Sequence, residues 1–487
     1  MLQVHFWSHI LNTLPIVATH EIGHALGMSN DLIKYFRMKD GTPRTARPFQ
    51  SRSGICLNGT TVTMEFPDTS YFEPGISNRG QVHYSLTSPR SQQAARNQFN
   101  CASLRGVQME NQPTEAGGKV CIGTHLDERL FYSELMSPIY SGYSSILSPV
   151  TLAWLDDSGW YEVSYEGAKN SPFGLGAGCD FVEQDCIQNN QVPAFGLGEF
   201  CDSVFSIDEN GDFDTANSKI LCDPGHSLWS YCDLFDTDNL PPNISVALVE
   251  GSIRYFTDHP SWSASSAQAD WCPIPTIYAG IDCTDANTDA TKLAVYQGAQ
   301  YGLGSRCINA NFAPLLGSSD RQQWPVCLPV LCNENNTTVT VGRQECEFDG
   351  QQHSIGLLSA FSSSGTFICP KLTALCPQFF CEGGCSAVGV CNYDAQPPRC
   401  ECFDANDTSE ICSGQHNTRN PSTPAFPPFN LFPPFSPFPP FSPSTPLTPV
   451  SNRVPSTIPP NVSPKSGTTR SSGFVCALLV TLVGLAF

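Results

Sequence analysis

The sequence predicts an α+β chain: a mixed front half built around one strongly patterned helix, then a disulfide-rich, loop-rich region and a small cysteine module. Three observations predict it. Apolar residues recur at three- and four-residue steps over 14–28. Cysteines are strewn singly from Cys56 onward among turn-forming residues, without repeated paired units. From 376 to 412 they become denser still.

Each element follows in order. Residues 14–28, LPIVATHEIGHALGM, read as a helix. Pro15 suits the first turn, where its missing N–H costs nothing. Ile16, Ala18 or Thr19, Ile22, Ala25 and Leu26 make one apolar stripe, and Gly27 stands where a left-handed cap is useful. From Lys39 to Gly118 the chain reads as polar and irregular, with Cys56 and Cys101 as staples. Residues 146–158 read as a second helix, stopped at Gly159 and followed by a short strand. Residues 166–375 read as a cysteine-rich domain with few long elements, and 376–412 as a separate small module.

Residues 413–470 are Pro, Ser, Thr and Phe with almost no charge, which predicts an extended spacer. Residues 471–487 end in an apolar run shorter than the roughly 20 residues a spanning helix needs. Small residues precede it, so the sequence predicts a glycolipid-anchor signal with attachment near Ser466, or as early as Asn461, or else a short tail anchor. Either places the chain on a membrane, at the extracellular face of the cell surface.

Composition bounds the partners. The chain has 487 residues and a net charge of −20, with 14% charged residues. So negative a chain repels phosphate backbones, which excludes nucleic acid as a partner. The 23 cysteines read as disulfides made in an oxidising compartment. Setting aside Cys476, inside the terminal apolar run, leaves an even number. Glycosylation tripeptides at Asn58, Asn243, Asn336, Asn406 and Asn461 point the same way. The start, MLQVHFW, lacks the pattern of an export signal, so the sequence predicts that residues upstream are missing.

The helix carries His20-Glu-Ile-Gly-His24. Residues i and i+4 stand one above the other, so two imidazoles can grip one ion. Glu21 can reach a water on that ion and take its proton. Gly27 extends the motif to the metzincin pattern HExxHxxG, but Asn30 stands where a third histidine would follow. Catalytic zinc keeps three protein ligands, so one must come from elsewhere. Of His5, His9, His83, His125, His226, His259, His353 and His416, His125 fits best, because Met136 follows it at a distance suited to a Met-turn. His83 is the runner-up.

The chain resembles the leishmanolysin family. The resemblance rests on HEIGHALGMS, on Gly123, His125, Glu134, Leu135 and Met136, on LSPVTLAWLDDSGWY, and on GCDFVEQDC and CDPGHSLWSYCDL; it covers roughly 10–375. It implies a metzincin-like catalytic domain over 1–165 with a long insertion over 30–120. With nineteen residues before His20, the resemblance leads one to expect that most of the N-terminal sheet of that domain is missing from this sequence. It implies one zinc ion per chain on His20, His24 and His125, Glu21 as general base, Met136 beneath the metal, and protein or peptide substrates. Cys381, Cys385, Cys391, Cys400, Cys402 and Cys412 resemble an EGF-like module, which implies pairs Cys381–Cys391, Cys385–Cys400 and Cys402–Cys412. The competing expectation is a non-catalytic surface adhesion protein that keeps the fold.

Overall fold

A computed structural model describes residues 15–414, apart from 57–58, 79, 81, 112–121, 140–144, 207–217, 240–254, 289–298, 313–321, 334–337 and 356–364. The spacer and anchor over 413–487, with Ser466, lie outside the described residues save for 413–414, as do His5, His9 and His416. No helix among the described residues is long and apolar enough to cross a membrane.

The fold is mixed α and β, rich in sheet and in disulfides. Helix α1 runs over 15–25 and turns at 26–27, short of the predicted 28. Gly27 has φ +120°, a conformation open to glycine. Its carbonyl accepts from Trp154 Nε1 at 3.3 Å, and the Leu26 carbonyl accepts from Tyr161 Oη at 2.9 Å, so aromatic donors close the end of α1.

Of the apolar stripe, Ile16 packs on the core but its later members do not. Ile22 is 54% exposed and Leu26 38%, whereas Gly23, Gly27 and Met28 are buried. The small residues let α1 sit close to its neighbours: a Cβ at Gly23 would lie 2.5 Å from Met136 Sδ, and one at Gly27 2.5 Å from the Trp160 ring.

The stretch read as irregular holds structure. A hairpin pairs β1 (Ser51–Ile55) with β2 (Thr61–Glu65), and β3 (Phe72–Ile76), β4 (Val82–Leu86) and β5 (Val107–Met109) form an antiparallel sheet. Between β4 and β5 lies helix α3 (Pro89–Phe99), after the short α2 (Asn30–Ile33). Short α4 (Glu128–Phe131) precedes α5 (Pro149–Asp157), where Ser148 caps the helix by accepting from Val150 N–H at 3.0 Å. Asp157, at the end of α5, accepts from Ser91 N–H at 2.7 Å and so caps α3 as well. No strand follows Gly159 among the described residues up to α6 (Cys179–Glu183). The segment is held by packing rather than by a ladder.

The cysteine-rich part has longer elements than predicted. Strand β6 (Ser305–Phe312) pairs with β7 (Gln322–Asn333) within a six-stranded sheet, and β8 (Gln352–Ile355) forms one edge of it by pairing with β9 (Gly365–Ile368). The small module is a hairpin of β10 (Gly389–Asn392) and β11 (Arg399–Cys402). Disulfides join Cys381 to Cys391, Cys385 to Cys400 and Cys402 to Cys412, the pairs the resemblance implied.

The main core takes side chains from both sides of residue 165. Phe99 packs on Phe131 and Phe181 with ring centroids 5.5 and 5.8 Å away, and Phe181 stacks on Phe200 at 5.4 Å.

Candidate metal centre

Helix α1 presents His20 and His24 one turn apart, and the segment after β5 brings His125 to them. Their Nε2 atoms converge: His24 Nε2 lies 3.1 Å from His20 Nε2 and 3.2 Å from His125 Nε2. Each Nδ1 is used elsewhere. His20 Nδ1–H donates to Leu135 O at 2.7 Å, His24 Nδ1–H to Met28 O at 2.7 Å, and His125 Nδ1–H to Glu110 Oε2 at 2.8 Å. Oxygen acceptors at all three Nδ1 positions assign the protons there, which leaves three Nε2 lone pairs aimed at one point.

That arrangement repels itself unless a cation lies between. Tetrahedral zinc with Zn–N of about 2.0–2.1 Å sets its ligands about 3.3 Å apart, close to the two spacings found. Loss of solvent contact holds His20 and His24 below the ordinary histidine value, outweighing the carbonyl bonds that act the other way, so both rings are neutral near pH 7, as ligands must be. The donor set, spacing and protonation fit zinc.

Met136 is fully buried with its Sδ against Gly23, which lies between His20 and His24 on α1. Its turn is anchored to α5 by Glu134, which burial pushes up to about 7 and which accepts from Thr151 Oγ1 at 3.0 Å. Glu21 follows His20 on the exposed side of α1.

The other histidines stand apart from this cluster. His83 packs against Gly75 in the β3–β4 pair, where burial lowers it to about 4. His226 is buried and bonded to Cys307 O. Three further groups of possible ligands, around Cys346 and Cys369, Cys381, Cys385 and Cys400, and Cys101 and Cys179, consist mainly of bonded cysteines, which offer no thiolate.

Two participants were missed in the sequence. Asn30, where a third histidine would complete the short motif, is buried and donates from Nδ2 to Ile122 O, tying the chain beyond α1 to the segment that carries His125. Glu110 accepts from His125. The one available signal for Glu110 was Gly123, two residues before the histidine, whose missing side chain leaves room for the carboxylate.

The sequence profile described as leishmanolysin, of peptidase family M8, matches residues 8–381. A leishmanolysin-like peptidase of Drosophila pseudoobscura pseudoobscura is 27% identical over 397 residues, covering 77% of this chain and 57% of that protein. One from Caenorhabditis briggsae is 34% identical over 292 residues, covering 56% and 41%. Leishmanolysin of Leishmania donovani is 26% identical over 388 residues, covering 77% and 55%. The chain spans about half the length of the curated relatives it matches.

Proposed function

The chain belongs to the leishmanolysin family of zinc-dependent peptidases, and on that premise we propose that it hydrolyses internal peptide bonds of proteins at a zinc ion held by His20, His24 and His125. The observation that carries this reading is the convergence of three Nε2 atoms whose rings are each fixed through Nδ1.

Zinc, when bound, supplies a Lewis acid that acidifies water and polarises the scissile carbonyl. The protein supplies the rest. The three imidazoles are each held in orientation through Nδ1, so nothing need rearrange before reaction. Glu21, beside His20 on the open side of α1, takes the proton of the attacking water and gives it to the leaving amine. Met136 fills the space against Gly23 and excludes water there. Proteins and peptides are the substrate class that the family supports.

The finer architecture belongs to the same reading. The helix-borne pair, the third histidine on a separate segment and the buried methionine support a metzincin arrangement. The pairing of the six cysteines over 381–412 supports an EGF-like module. The disulfides support export, and with the terminal apolar run they support a cell-surface setting anchored near Ser466.

The test is Glu21→Ala in the full chain. The variant is expected to retain zinc and to lose chelator-sensitive proteolysis by about 10²- to 10⁴-fold, the range for a lost acid–base group. Undiminished cleavage would remove Glu21 from the reaction; a wild-type chain that holds no zinc would remove the whole reading.

A further inference from the structure

We propose that Glu110 is the positioning residue of the third ligand: its carboxylate holds the His125 ring with Nδ1 protonated and Nε2 turned toward the ion. The inference rests on the zinc reading above. It concerns a residue outside both motifs, fifteen positions before the histidine it serves.

The three rings are not held alike. His20 and His24 donate to main-chain carbonyls, of Leu135 and Met28, which no side-chain substitution removes. His125 alone donates to a side chain, and that side chain is anionic. A charged acceptor makes the stronger hydrogen bond, raises the basicity of the ring and so favours its bond to a cation.

Glu110 is built into place. It is 5% exposed, and among the described residues its only ion-pair partner is His125. A buried carboxylate without a cation is costly, and a histidine bound to a divalent ion supplies the missing positive charge. The main chain sets the two residues side by side: Glu110 N–H donates to His125 O at 3.0 Å, and Gly123 N–H donates to Glu110 O at 2.7 Å. These bonds continue the bridge between Met109 and Leu126, and so extend from β5 and the sheet behind it. A Cβ at position 123 would overlap the Glu110 carboxylate, so Gly123 is the vacancy that the acid fills. The stretch between the helix and the third ligand thus delivers the group that aims that ligand.

The experiment compares the full-length wild type with Glu110→Ala, Glu110→Gln and Gly123→Ala. Each is loaded with zinc and challenged with a chelator, and thermal unfolding is recorded on the metal-free proteins. Glu110→Ala is expected to release zinc 10- to 100-fold more readily, the usual cost of removing such a support. Glu110→Gln, which still accepts from Nδ1, is expected to recover most of that loss. Metal-free unfolding should differ little between Glu110→Gln and wild type.

Should Glu110→Ala fail to fold, Gly123→Ala displaces the carboxylate without removing it. Its cobalt(II)-substituted form is expected to show shifted visible bands. Wild-type zinc retention in Glu110→Ala, equal losses in the Ala and Gln variants, or an unshifted cobalt spectrum in Gly123→Ala would each overturn the assignment. A wild type that takes up no zinc would instead overturn the peptidase reading on which it rests.

Discussion

Residues 15–165 and residues 179–412 are held together by different means. Nine of the ten described disulfides lie wholly in the second stretch. The first aligns its site by close packing and hydrogen bonds: Met28, Phe36, Met136 and Trp154 are all at most 1% exposed, and carbonyls of two separate turns fix two rings. Three ligands must meet within tenths of an ångström, and an interior packed at crystal density gives that tolerance. Beyond the residues it lends to the main core, the second stretch gathers apolar residues in several small clusters, each lined by cystines. Small cores bury too little surface to hold alone, and cross-links make up the deficit.

Removing a ligand tests the contrast most severely. His24 makes both close Nε2 approaches, so His24→Ala is expected to abolish zinc retention and chelator-sensitive cleavage while leaving the disulfides formed. Metal content and a count of free thiols check it together. Next in size is Trp154→Ala. It empties a fully buried site and removes the donor to Gly27 O, so a loss of about 3–5 kcal/mol is expected in denaturant unfolding, with weaker zinc retention.

In the cystine-bonded stretch, replacing Cys346 and Cys369 together by serine should cost about 2–4 kcal/mol. The zinc release rate should not change. A release rate that rose with it would break the division between the two stretches.

The effects of pH complete the comparison, and they run in opposite directions. Glu128 in the first stretch is pushed up to about 8 by burial. The unfolded chain gives up this proton near the ordinary value, so the stabilisation is full below it and is lost as pH rises toward 8. His226 in the second stretch is pushed down to about 4 by burial. Its stabilisation is full above 6.5 and is lost as pH falls toward 4. Each contributes at most roughly 1.4 kcal/mol for each pH unit crossed. Glu128→Gln should remove the decline on the alkaline side, and His226→Asn the decline on the acid side. Denaturant midpoints from pH 4 to 8 distinguish them.

The sequence made part of this legible. The spacing of His20 and His24 is local, and helix geometry alone converts it into a ligand pair. The direction of α1 was not local. Its largest apolar residues, Ile22 and Leu26, are exposed, and its packed side consists of glycines, because close approach to Met136 and Trp160 was worth more than side-chain bulk. Strands β1 to β5 were hidden for a related reason. TVTME alternates exposed with half-buried residues, and FEPGI carries Pro and Gly, so neither shows the apolar alternation that reveals a strand. Asn30 had no pattern, and Glu110 only the indirect signal of Gly123, since their roles exist only once β5, Ile122 and His125 are neighbours in space.

The stacked phenylalanines around Phe99 and Phe181 decide how this protein can be handled. A shortened product ending at residue 165 would keep every proposed zinc ligand, yet would expose to water the face of Phe99 that Phe181 covers and the Tyr132 ring that Phe173 packs on. Such a fragment is set to aggregate rather than to cleave peptides, so the metal centre and the cystine-bonded remainder have to be produced, and inherited, as one piece.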